Sequence, residues 1–269
     1  MSISLKNTFV TAAAVAALLS LSAGAALADG PAVSGLNGKV SLGFGTSGPN
    51  DIYGGTGSVD VPLGNSFGAQ GDFFLGGIHG VGVIGGGGHV FWRDPSQALL
   101  GIYVSDQHYN VFGGVNVVKV GGEGEYYFND QWTARTIVGW EGGDVKDRVF
   151  DRADIVFYPS DNWALSLGHR YSLGVNAGVL GLEYQLPGTN FAFSAQGRLG
   201  EYRTSGGFLA VTWFLGDAGK PLSQRARQDD PVEAMSDDIN AASATTGGCG
   251  SDVGLGSGFR GPQLFSCRS

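Results

Sequence analysis

Between Asn37 and Gly216 the chain alternates apolar and polar side chains in segments of about ten residues separated by turn residues, and no helical periodicity competes with it. A period of two belongs to a strand whose faces meet two different environments. The stretch Phe191-Ala-Phe-Ser-Ala-Gln-Gly-Arg-Leu199 shows the pattern: Phe191, Phe193, Ala195 and Leu199 fall on one face, and Ser194, Gln196 and Arg198 on the other. Twelve such segments are predicted as strands, at 37–46, 55–63, 66–78, 82–93, 97–106, 115–128, 131–143, 149–158, 162–172, 175–186, 190–202 and 204–215. Ten strands is the competing count, if 37–46 or 55–63 folds inward instead of forming a stave.

Five compact turns recur along this region: Leu63-Gly-Asn-Ser-Phe67, Trp92-Arg-Asp-Pro-Ser96, Phe128-Asn-Asp-Gln-Trp132, Tyr158-Pro-Ser-Asp-Asn-Trp163 and Leu186-Pro-Gly-Thr-Asn-Phe191. Asn, Asp, Pro and Gly supply the turn geometry, and the flanking rings suit the boundary between hydrocarbon and water. The spacing is about thirty residues, enough for two tilted spanning strands and a connection on the far side. All five turns join an even-numbered strand to the next odd-numbered one, so they share a side with both ends of the strand array. The expected fold is therefore all-β, a transmembrane antiparallel up-and-down barrel with short periplasmic turns and longer outer loops at 45–54, 105–113 and 141–148.

The N-terminus sets the compartment. Lys6 gives a positive start, Phe9 to Leu21 is an apolar stretch, and Ala26-Leu27-Ala28 is a small-x-small cleavage site, so residues 1–28 are expected to be a signal peptide. The apolar run falls short of the ~20 residues of a spanning helix. The domain expectation is a barrel over 29–216 and a polar, flexible periplasmic tail over 217–269, with acidic pairs Asp229-Asp230 and Asp237-Asp238. Cys249 and Cys267 both lie in that tail, and an exported location permits a disulfide between them.

Composition removes several classes. There are 48 glycines in 269 residues, but aromatics at 11% and regular alternation argue against Gly-rich disorder. A net charge of −8 leaves no electrostatic footprint for nucleic acid. Gly80-Val-Gly-Val-Ile-Gly85 fits G-x-G-x-x-G but lacks the strand–turn–helix setting that would let it hold a dinucleotide. His79, His89, His108 and His169 are scattered without metal-ligand spacing, so no metal, cofactor or catalytic residue is expected.

Strand alternation turns a set of ionisable residues inward: Asp72, Arg93, Lys119, Glu123, Glu125, Arg135, Glu141, Arg152, Asp154, Arg170, Glu183 and Arg198. A charge facing lipid at the midplane would cost about 2–4 kcal/mol for Arg or Lys, which forces the choice of face. Such a wall either selects solutes in a pore or braces a filled barrel with salt bridges. A membrane-embedded hydrolase is a third reading, since an outer-membrane phospholipase also uses a twelve-strand barrel with a Ser and a His on its outer wall. Here His169 faces outward, while Ser166 and Ser172 alternate to the lumen.

With these residues, the region from Asn37 to Leu215 resembles bacterial outer-membrane porin-like barrels. The ending Trp213-Phe214-Leu215 resembles the aromatic-rich last strand read by the outer-membrane assembly machinery. The segments Leu100-Gly-Ile-Tyr103 and Val120-Gly-Gly-Glu-Gly-Glu-Tyr126 are also similar to strands of the inverse autotransporter (intimin and invasin) group, which continues into extracellular adhesive domains. The porin resemblance implies an outer-membrane protein in a lipid bilayer, passing small solutes by passive diffusion. The alternative is a non-conducting barrel that is structural or binds a partner.

Overall fold

The computed structural model of the chain describes residues 30–110, 113–202, 204–231 and 234–242; the expected signal peptide and both cysteines lie outside them. Twelve antiparallel strands close into one barrel in which each strand pairs with its sequence neighbours and the first pairs with the last. They are β1 (Asn37–Ser47), β2 (Asn50–Pro62), β3 (Phe67–Ile78), β4 (Val81–Asp94), β5 (Ala98–Tyr109), β6 (Val115–Asn129), β7 (Trp132–Gly143), β8 (Arg148–Ser160), β9 (Trp163–Ser172), β10 (Val175–Gln185), β11 (Phe191–Gly200) and β12 (Gly206–Phe214). Closure matters because an open edge would leave unpaired backbone N–H and C=O groups in hydrocarbon. The seam is the β1–β12 ladder, running from Lys39 opposite Phe214 to Ser47 opposite Gly206.

Strand number and order agree with the periodicity, but the outer connections do not. The stretches expected as long loops at 45–54 and 105–113 are largely strand, with β1 and β2 separated only by Gly48 and Pro49. Gly48 has φ 60°, which suits a hairpin turn that needs a positive angle at its first central residue. His79 with Gly80, and Leu173 with Gly174, take positive φ at both central positions of two-residue turns, the geometry that matches strand twist. Polar residues misled the reading there, because strands that run past the hydrocarbon edge need no apolar outer face.

The outside is apolar. Leu42, Phe44, Phe73, Leu75, Ile102, Leu167, Leu180 and Leu209 are all exposed on the outer face. At the turn side, rings pair across strands: Trp132 stacks on Phe157 at 4.6 Å, Trp163 lies 4.4 Å from Tyr184 and Phe191 6.3 Å from Trp213. This is an aromatic girdle at one interface.

Past β12 the chain turns back into the barrel over the described part of the segment expected as a flexible tail. Helix α1 (Leu222–Gln228) crosses the turn-side mouth, and helix α2 (Met235–Ala242) lies in the lumen. Leu222 packs with Val156, Tyr158, Ala164, Ala192 and Phe214, and Arg225 sits over the Phe214 ring at 4.6 Å. At Asp229 and Asp230 the chain is tied to the barrel: Asp229 accepts from Ser34 and Lys220, and Asp230 from Lys39. Helix α2 then presents Met235, Ile239 and Ala242, one face at helical spacing, to Ile52, Ile78, Val83, Tyr109, Val117 and Leu173. Those partners stand near the strand ends opposite the turn side, so the described residues of 217–242 reach from one mouth toward the other.

Candidate functional site: the charged lumen

All twelve residues expected to face inward are in the barrel interior. Arg93, Glu141, Lys119, Asp154, Arg170, Arg198, Glu125, Asp72 and Glu123 are buried, and Arg135, Arg152 and Glu183 border a polar cavity of ≈ 250 Å³ beside the internal segment. Asp72, Glu123 and Glu125 mark an acidic arc around β3, β4 and β6, which also holds Arg93 and Lys119, and Arg135, Arg152, Arg170 and Arg198 mark a basic arc around β7, β8, β9 and β11, which also holds Glu141 and Asp154.

In the acidic arc His89 bridges two carboxylates, with Nε2 2.9 Å from Asp72 and Nδ1 2.6 Å from Glu123. Asp72 also accepts from Ser58 at 2.6 Å and Gln70 at 2.7 Å. Glu123 is on β6 and His89 on β4, so the contact crosses β5, where Gly101 stands opposite Glu123. A side chain at Gly101 would collide with the Glu123 carboxylate, so the glycine is what lets this bond pass. The sequence offered His89 only as one of four scattered histidines. The clue to its partners was in the alternation, which turns it to the same face as Asp72 and Glu123.

Further round, Lys119 is held at 2.5 Å by Asp238 of α2 and at 3.4 Å by Glu141. Glu141 also accepts from Ser172 Oγ at 2.9 Å and from the Leu173 N–H at 2.6 Å, which braces the Leu173 turn. In the basic arc Asp154 receives Arg170 at 2.8 Å, Arg152 at 3.1 Å and Arg135 at 3.4 Å. Asp237 of α2 receives Arg170 Nε at 2.7 Å and Arg152 Nη1 at 2.8 Å. Gly168 makes this crowding possible, since a Cβ there would strike both Asp154 and Arg170. Buried ions persist only when paired and hydrogen-bonded, and here the partners come from the wall and from α2 together.

The acidic pairs at 229–230 and 237–238 are lumen residues that the sequence placed in a tail. Each of the four carboxylates meets a cation: Lys220, Lys39, the pair Arg152 and Arg170, and Lys119 respectively. Asp237 and Asp238 also occupy the first turn of α2, where the helix dipole favours negative charge.

The run from Gly80 to Gly85 is strand, not a phosphate loop. Gly85 and Gly87 face the Met235 sulfur, which lies 3.4 and 3.7 Å from where their Cβ atoms would stand, so lumen-facing glycines make room for α2. His169 is on the outer face, bonded to Asp151 at 2.7 Å, whereas Ser172 is buried and Ser166 borders the lumen cavity. The histidine and these serines are thus on opposite faces of β9. Among the described residues no group of His, Cys, Asp and Glu is arranged to hold a metal ion.

No family model and no curated protein matches the chain. Solved structures do match in shape. A KdgM porin superposes with a TM-score of 0.52 at 9% identity, over 65% of this chain and 98% of that one. The same porin in complex with disordered oligogalacturonate gives 0.51 at 9% identity, over 65% and 98%. A structure from a study of in-meso crystallization of membrane proteins gives 0.51 at 14% identity, over 74% and 96%. The chain has the fold of a porin-like outer-membrane β-barrel.

Proposed function

We propose that this protein is an outer-membrane channel through which small polar solutes diffuse passively, with its route occupied at rest by the chain's own residues 217–231 and 234–242. The observation that carries the reading is the composition of the lumen. A barrel that served only as a scaffold needs a packed interior, and well-packed apolar residues fill space at least as stably as buried ion pairs. This barrel instead lines its interior with charges, leaves a polar cavity of ≈ 250 Å³, and closes the remaining space with a segment held by ion pairs and one apolar face. Such a segment is bound from within the chain, so its displacement opens a charged, water-compatible path without breaking the barrel ladder.

The test is conductance in planar bilayers for the full chain and for the double variant Asp237→Asn, Asp238→Asn. The native protein should give rare stepwise openings, and the variant should be open for a far larger share of the time. Silence from both at high protein loading would sink the pore reading and leave a structural barrel.

A further inference from the structure

The basic arc brings like charges close together. Arg152 and Arg170 stand directly opposite each other in the β8–β9 register, an arrangement in which like charges destabilise a strand pair. Asp237 relieves it by bridging both guanidinium groups. A third arginine, Arg198 of β11, is 4% exposed and borders the same pocket, yet its Nε and Nη2 have no hydrogen-bond partner among the described residues. A buried N–H without an acceptor costs about 1–3 kcal/mol, and more on a charged group. Arg135 has Asp154 at 3.4 Å and stands opposite Glu125 in the β6–β7 register, whereas the carboxylates that share the pocket with Arg198 include Asp237 and Asp238 of the internal segment. Arg198 points to an anion that is larger than the Asp237 side chain or carries a second carboxylate.

We propose that Arg152, Arg170 and Arg198 form a binding site for the carboxylates of a small dicarboxylate or polycarboxylate solute, and that Asp237 is the internal occupant which such a solute displaces. The guanidinium fork matches a carboxylate bidentately, and Asp237 already shows where one carboxylate sits. A second carboxylate would satisfy Arg198, which Asp237 does not. Loss of the Asp237 contacts loosens α2 at its first turn, so binding of the solute and opening of the route become one event. The inference rests on the channel reading, and supplies its solute class and its trigger.

The experiment is hydrogen–deuterium exchange on the full chain in detergent, with glutarate as probe, 1,5-pentanediol as its uncharged counterpart and sodium chloride matching ionic strength. Glutarate should speed exchange of the amides at 235–242 about tenfold, while pentanediol and added salt leave them within about twofold. Arg198→Gln should abolish the glutarate response, with exchange at 235–242 in glutarate staying within about twofold of that variant's own exchange without it. If that variant does not assemble, Arg198→Lys should assemble and show a reduced response. Exchange that ignores glutarate, or that responds equally to salt or to pentanediol, overturns the site. Conductance measured in parallel separates the two readings: openings with α2 indifferent to glutarate keep the channel and discard the site. Glutarate-driven release of α2 in a protein that never conducts supports the site and discards the channel.

Discussion

Asp237 joins two wall arginines that would otherwise repel, so its substitution strikes at one point of the lumen. Changing it to Asn keeps the shape but removes the charge, leaving buried guanidinium groups short of an anion; docking of α2 should weaken by about 3 kcal/mol. Amide exchange at 235–242 would rise by roughly two orders of magnitude, and unchanged protection would show that the helix is held by packing alone. Gly168 gives a complementary prediction. A methyl group there must push Asp154 and Arg170 apart, so Gly168→Ala should cost about 1–3 kcal/mol in denaturant midpoint, although Ala is the smallest change available. The wall residues were legible in the sequence because a period of two assigns every second side chain to one face, and Lys119, Glu123 and Glu125 fall together by that rule. Asp237 was not, because its partners come from β8 and β9, more than sixty residues away, and no local pattern records such a contact.

At the scale of elements, the strands and the helices differ in how they are encoded. Each β-strand has its ladder and its apolar outer face, and its extent could be read to within about three residues except at β2, which starts at Asn50 and not at residue 55. Helix α2 has eight residues, too few to persist in water on propensity alone, so its helicity depends on where it docks. Its Met235, Ile239 and Ala242 face is visible in the sequence once a receiving surface is known, but the polar residues around it read as tail. Ile239 is 2% exposed within that cluster. Ile239→Ala should therefore cost about 2–4 kcal/mol of docking free energy while leaving the barrel ladder untouched. The prediction is checked by comparing α2 exchange, which should accelerate, with exchange of β-ladder amides, which should not change; coupled loss of both would mean that the helix is part of the barrel's folding core.

The whole molecule places its apolar belt between two polar boundaries. The turn-side girdle of Trp132, Trp163 and Trp213 marks one. The other is a set of outward polar groups near the opposite rim: His108 bonds Asn116 at 2.9 Å, His169 bonds Asp151 at 2.7 Å, and Asn176 bonds Glu201 at 2.9 Å. These pairs need water or headgroups, so the hydrocarbon must end below them, which is also why the strands there carry the polar sequence that reads as loop. Leu209 lies between the two boundaries, opposite Phe44 on β1 and Ala195 on β11, and is 52% exposed on the outer wall. An arginine at that depth loses about 2–4 kcal/mol to the bilayer. Thr56, which borders the lumen cavity, meets water and polar side chains instead, and Thr56→Asn should stay within about 0.5 kcal/mol of native. Refolding both variants from urea into lipid vesicles measures the difference directly. Leu209→Arg should shift the midpoint by the full penalty and Thr56→Asn should not, whereas a penalty at Thr56 with none at Leu209 would mean that the assigned faces, and with them the charged lumen, are reversed.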